Sequence, residues 1–102
     1  MRVVSCNAFG PIEQLVVEER PSPPLPAGHV RIAVTAAGVN FVDCLIVQGL
    51  YQAKPPLPFV PGGEVAGTVA EVGEGVTTHR LGDRVFASMP WGGFAEEVVV
   101  RA

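Results

Sequence analysis

The sequence predicts a mainly β domain, a small barrel or sandwich of short strands with one short helix near residues 40–48. Two observations carry that reading. The chain holds 12 glycines and 10 prolines among 102 residues, which interrupts it too often for a helix bundle and suits short strands joined by turns. Between these breakers the apolar residues recur at every second position, most clearly in His29–Ala37. A composition of 48% hydrophobic and 17% charged residues excludes a disordered chain, and the glycines have no triplet period, which excludes collagen. The length suits one domain, 1–102, with a single core.

The elements follow in order. Met1–Ala8 reads as a first strand and Phe9-Gly10-Pro11 as a turn. Gln14–Glu19 reads as a second strand, polar at its far end. In Arg20–Gly28 four prolines within six residues remove too many N–H donors for a helix or a central strand, so an extended surface connection is expected. In His29–Ala37, Val30, Ile32 and Val34 fall on one face and His29, Arg31, Ala33 and Thr35 on the other, the pattern of a half-buried strand. Asn40–Gln48 is the helix: Asn40 suits its cap, Asp43 its first turn and Gly49 its C-terminal end, with Val42, Leu45 and Ile46 on a shared face. A second proline-rich connection, Leu50–Gly62, leads to a long strand, Glu64–Val72. Gly73-Glu74-Gly75 turns the chain, Arg84–Ala87 is a further strand, Pro90–Gly93 turns again, and Phe94–Val100 is the last strand. Ala102 follows without a closing feature, which reads as a cut.

Charge and cysteine content narrow the function. The net charge is −3 and the seven Lys+Arg are scattered singly, so no basic patch for nucleic acid is expected. No apolar run approaches the roughly 18 residues that span a bilayer, and the N-terminus lacks a signal-peptide layout. Cys6 and Cys44 form no CxxC and no metal-ligand spacing. Two buried free thiols in a cytoplasmic protein are the expectation.

Few side chains offer chemistry. Gly73-Glu74-Gly75 begins like a dinucleotide fingerprint, but Thr78 stands at the sixth position and no helix follows. His29 and His79 lie far apart, without ligand-spaced partners. Ser5, Ser22 and Ser88 sit in no nucleophile elbow. Pro61-Gly62-Gly63-Glu64 places two flexible residues and a carboxylate at a strand entrance, which suits a turn with an exposed Glu as well as a site. Asn40 and Asp43 suit a helix cap, yet an amide at a helix entrance also suits a ligand's polar group. Tyr51, just past the helix, is either a packed rim residue or a hydroxyl that reaches a carbonyl.

Several motifs in register carry a resemblance across essentially the whole chain. They are Ala36-Ala37-Gly38-Val39-Asn40-Phe41-Val42-Asp43, Gly49-Leu50-Tyr51, Leu57–Gly67, Val72–Val76, Gly82-Asp83-Arg84-Val85 and Gly92–Glu96. Together they resemble the N-terminal catalytic domain of the medium-chain dehydrogenase/reductase superfamily, in its quinone-oxidoreductase branch. The resemblance implies a GroES-like barrel without the family's Rossmann nucleotide domain. It implies NADPH as cofactor, a quinone or small carbonyl-type electrophile as substrate, and a homodimer in the full-length protein. It matches Asn40, Tyr51 and Asp43 to the catalytic wall, and Asn40, Gly63 and Glu64 to the cofactor side. Asn40, Asp43 and Tyr51 are expected on one concave face, with Gly63-Glu64 at its rim. Zinc-dependent relatives carry Cys and His where this chain has Asn40 and Gly63, and a four-cysteine lobe where it has none between Arg84 and Phe94, so no zinc is expected. A second pocket tyrosine of some quinone reductases would fall at Leu45. The opposing reading is a stand-alone GroES-like binding or self-association module without catalysis.

Overall fold

The computed structural model describes residues 1–102 and contains six strands and one α-helix. They are β1 (Arg2–Ser5), β2 (Val16–Glu19), β3 (His29–Ala37), α1 (Phe41–Val47), β4 (Glu64–Val72), β5 (Arg84–Ser88) and β6 (Glu97–Arg101), with a single 3-10 turn at Ile12–Gln14 before β2. All strand pairs are antiparallel. β1 and β2 form a ribbon, and β5-β4-β3-β6 form the main sheet. Bridges Val3↔Ala95 and Cys6↔Phe59 tie the ribbon to the rest, completing the mainly β fold expected of a GroES-like domain.

β3 is central, and its burial departs from simple alternation. Val30, Arg31 and Ile32 are all buried. The Arg31 face is covered because the proline-rich connection folds back over it. Arg31 Nη1 donates to Ser22 Oγ at 2.6 Å and Nε donates to Glu71 Oε1 at 2.7 Å. A side chain expected to face water is thus a clasp for a segment whose prolines lack N–H donors of their own. β4 keeps the period of two, burying Val65, Gly67 and Val69. Gly67 lies where the carbonyl of Ala33 comes too close for any Cβ, next to a register shift between Val34 and Ala36.

Two apolar clusters form the core. Val30, Ile32, Val65, Val69 and Val98 pack on the main sheet. Cys6, Ile46, Val47 and Phe59 pack beneath α1, with Phe9, Leu15, Val42 and Tyr51 against them. The helix buries Asp43, Ile46 and Val47, so its inward stripe is rotated slightly from the expected Val42, Leu45 and Ile46. Cys44 is only partly buried, unlike Cys6, a correction to the expectation of two buried thiols. Burial pushes the Cys6 thiol above its ordinary pKa, a hydrogen bond to Ala8 opposing it.

The last strand begins at Glu97 rather than Phe94. Residues 93–95 bond elsewhere: Phe94 N–H donates to Pro61 and the Phe94 carbonyl accepts from Val4, while Glu96 N–H donates to Arg2 and only its carbonyl reaches β3, accepting from Val34. The first strand is shorter than expected for a related reason, since Cys6 already bonds to Phe59.

Candidate functional site

The site is built where α1 begins beside the entrance to β4. Asn40 is the helix N-cap, extended at φ −117° and ψ 159°. Its backbone N–H donates to Asp43 Oδ2 at 2.8 Å, and the Asp43 N–H returns to the Asn40 carbonyl at 3.0 Å. This reciprocal pair is the reason a buried carboxylate is tolerated here: it accepts from a helix-terminal donor that has no partner within the helix. Asn40 Nδ2 in turn donates to Glu64 Oε1 at 3.2 Å. Gly38 N–H donates to the Glu64 carbonyl at 3.1 Å, fixing the end of β3 against the start of β4.

Gly63 completes the group. A Cβ added there would lie 3.8 Å from Asp43 Oδ1 and 3.3 Å from the Met89 carbonyl. The turn that delivers it is held by the loop after β5: Met89 N–H donates to Gly63, Gly93 N–H to Gly62 and Phe94 N–H to Pro61. Gly62 sits at φ +107°, in left-handed space that glycine alone enters freely, with Phe94 packed against it.

Asn40, Asp43 and Glu64 are therefore joined by direct hydrogen bonds, and Gly63 precedes Glu64 in the chain with its open side toward Asp43. Tyr51 is placed on the apolar cluster under α1 and shares no side-chain hydrogen bond with those four. Sequence reasoning missed Gly38 and the Met89 carbonyl. Gly38 figured only as one member of the Ala36–Asp43 motif, and a backbone carbonyl leaves no mark in sequence. It also missed an apolar cavity of about 690 Å³ behind the helix, lined by Val34, Ala37, Val39, Asp43, Cys44 and Pro61 among others. That cavity is assembled from segments far apart in the chain, so no local pattern announces it.

Chemically, the cluster offers an amide, a carboxylate at its rim and an open backbone surface at Gly63. One Asn40 N–H is taken by Glu64 and Oδ1 faces the Asp43 backbone N–H in the capping box, which leaves the second N–H to meet a ligand. No three His, Cys, Asp or Glu side chains stand together as a metal-binding group.

A mainly β domain with one short helix, a glycine-rich strand entrance and an asparagine cap defines the class, a GroES-like domain. Residues 26–102 match the alcohol dehydrogenase GroES-like domain, and the chain belongs to that family. It is 48% identical over 101 residues to a quinone oxidoreductase-like protein 2 homolog of Nematostella vectensis, covering 97% of this chain and 27% of that protein. Its fold superposes on the crystal structure of the human synaptic vesicle membrane protein VAT-1 homolog-like protein with a TM-score of 0.95 at 35% identity, covering 99% of this chain and 33% of that one. The Escherichia coli quinone oxidoreductase complexed with NADPH matches with a TM-score of 0.90 at 33% identity, over 99% of this chain and 31% of that one. The chain thus spans about a quarter to a third of the length of these relatives.

Proposed function

We propose that this chain is the substrate-side domain of a zinc-independent, NADPH-dependent oxidoreductase of the quinone-oxidoreductase type. The observation that carries the reading is the Asn40 group: an amide held through its backbone by Asp43 and through its side chain by Glu64, beside a residue without a side chain. The likeness to a quinone oxidoreductase that binds NADPH supports it. Zinc-dependent members of the family need a thiolate and an imidazole where Asn40 and Gly63 stand, and an amide and a hydrogen atom do not substitute for them.

The residues present fit a nicotinamide nucleotide. Gly63 leaves a surface that a Cβ would partly fill, and the Asn40 amide keeps one N–H donor for a flat polar group. NADPH, when bound, supplies the hydride. Reduction of a quinone or a small carbonyl-type electrophile builds negative charge on the acceptor oxygen, and a donor already in place lowers that barrier without reorganising. Asn40 supplies such a donor, Asp43 holds the cap that carries it, and Tyr51, set apart on the apolar cluster under α1, has the lesser role of orienting the acceptor through its hydroxyl. The full-length protein acts on a small molecule as a cytoplasmic homodimer, without nucleic acid. No helix is long and apolar enough to cross a membrane.

The test uses the purified full-length product of the gene. NADPH oxidation is followed with a naphthoquinone and with a small enal, alongside metal analysis. Turnover with either acceptor at less than stoichiometric zinc is expected. A protein that oxidises NADPH with neither acceptor would instead be a binding module, and turnover that tracks one bound zinc per chain would overturn the metal-free reading.

A further inference from the structure

We propose that Glu64 is a positioning residue, which fixes the orientation of the Asn40 amide, and that Gly38 is glycine to leave room for it. This deepens the functional reading above and rests on it. Asn40 Nδ2 donates to Glu64 Oε1 at 3.2 Å. A carboxylate accepts and cannot donate, so it holds the NH₂ edge of the amide and turns Oδ1 the other way. Without that partner only the capping contact with the Asp43 N–H is left to distinguish the donor edge of the planar amide from its acceptor edge.

The second observation is independent. A methyl group at Gly38 would stand 2.8 Å from Cδ and 2.9 Å from Cγ of Glu64, and closer still to Oε1. Its nearest neighbours are all atoms of that one side chain. Gly38 does not hold a positive φ, so its backbone accepts an L-residue. The glycine is required by the path of Glu64, which crosses directly over it to reach Asn40. Gly38→Ala therefore displaces the carboxylate while leaving Asn40 and Glu64 themselves in place.

In the full-length protein Glu64→Ala is expected to lower kcat by about ten- to hundredfold, the scale of a misplaced catalytic group, with KM for NADPH changing far less. Gly38→Ala is expected to produce the same loss at a nearly unchanged melting temperature. Glu64→Gln is expected to recover most of the rate, because its amide oxygen still accepts from Asn40. The second readout does not depend on turnover. In protein labelled with ¹⁵N-asparagine, the two Asn40 side-chain protons, identified by their absence in Asn40→Asp, should be widely split, and the splitting should collapse in Glu64→Ala and Gly38→Ala. Should the wild type reduce no acceptor, the functional reading falls and the spectrum alone decides the inference. Full turnover in both variants of an active enzyme overturns the proposal. So does equal loss in Glu64→Gln and Glu64→Ala, or a spectrum unchanged by either substitution.

Discussion

Asn40 performs two tasks that separate by substitution. Its backbone is the helix cap and is held by Asp43, whereas its side chain reaches Glu64 rather than closing on the helix alone. Asn40→Ala in the full-length enzyme should lower turnover by about 10²–10³-fold, the usual loss of one donor aimed at developing charge. Asn40→Ser keeps a good cap and should show the same kinetic loss at an unchanged melting temperature. Full turnover in Asn40→Ser would reduce Asn40 to a cap. Much of this site was legible in the residues themselves: an asparagine before a helical stretch, an aspartate three positions later, and Gly63-Glu64 at a strand entrance. The contact between Asn40 and Glu64 was not, because it spans 24 positions and depends on how β3 and β4 pair.

A second residue-scale prediction concerns acid. The backbone N–H and then the guanidinium of Arg2 hold the Glu96 carboxyl below the ordinary glutamate range, with burial opposing. Glu18 is lowered in the same way, first by the Asn7 amide and then by Arg20, Ser5 adding to them. A carboxylate with a depressed folded pKa binds protons more readily when unfolded. Its stabilisation is therefore present above the unfolded value of about 4.3 and is lost as pH falls through the lower folded value. Urea midpoints should show Glu96→Gln less stable than wild type at pH 7, with the gap closing on acidification. A gap that persists unchanged at the lowest pH would contradict this assignment.

At the scale of elements, Gly67 is the sharpest constraint on the main sheet. It lies on the buried face of β4, and a Cβ there would meet the backbone carbonyl of Ala33. Backbone cannot give way as a flexible side chain can, so Gly67→Ala should destabilise by about 1–3 kcal/mol. Thermal unfolding checks it, and an unchanged melting temperature would mean that β3 shifts freely. The strands and the helix were legible from period and breakers because those signals are local. Three features were not. Arg31 read as solvent-facing because the covering segment, Pro21–Pro26, has no periodicity of its own. Phe94–Glu96 read as strand because their alternation is real, though Phe94 and Ala95 pair with β1 and the Pro61–Gly62 turn and only the Glu96 carbonyl reaches β3, accepting from Val34. The inward stripe of α1 was displaced because Asp43, drawn in by the cap, takes a buried position that hydrophobicity alone would assign to an apolar residue.

At the scale of the molecule, apolar side chains remain uncovered. Phe86 is 86% exposed, Phe41 78% and Val39 72%, and the last two flank Asn40. On the proposed reading this chain supplies one wall of the cleft, and one wall does not hold a nucleotide and an acceptor together, a proximity worth about 7–11 kcal/mol of a barrier. The 102-residue chain by itself should therefore leave NADPH and quinone unreacted above the uncatalysed rate. Spectrophotometry of the pure chain decides it, and sustained turnover would show that the cleft is more complete than this fold provides.

The seam between the two ends of the chain has a consequence for synthesis. β1 is stitched to residues 94–96 by the Val3↔Ala95 bridge, by Val4 N–H donating to Phe94, and by the Arg2–Glu96 pair. On a ribosome the first strand emerges early, and β2 gives it a neighbour on one side. Its other side stays open until the segment before β6 has been made, about 5–20 s later at ordinary elongation rates. For that interval Val3 and Ser5, each at most 2% exposed in the finished fold, lie along an unpaired edge. A nascent chain stalled before residue 94 should accordingly be digested readily near its N-terminus, while one released after Ala102 should resist.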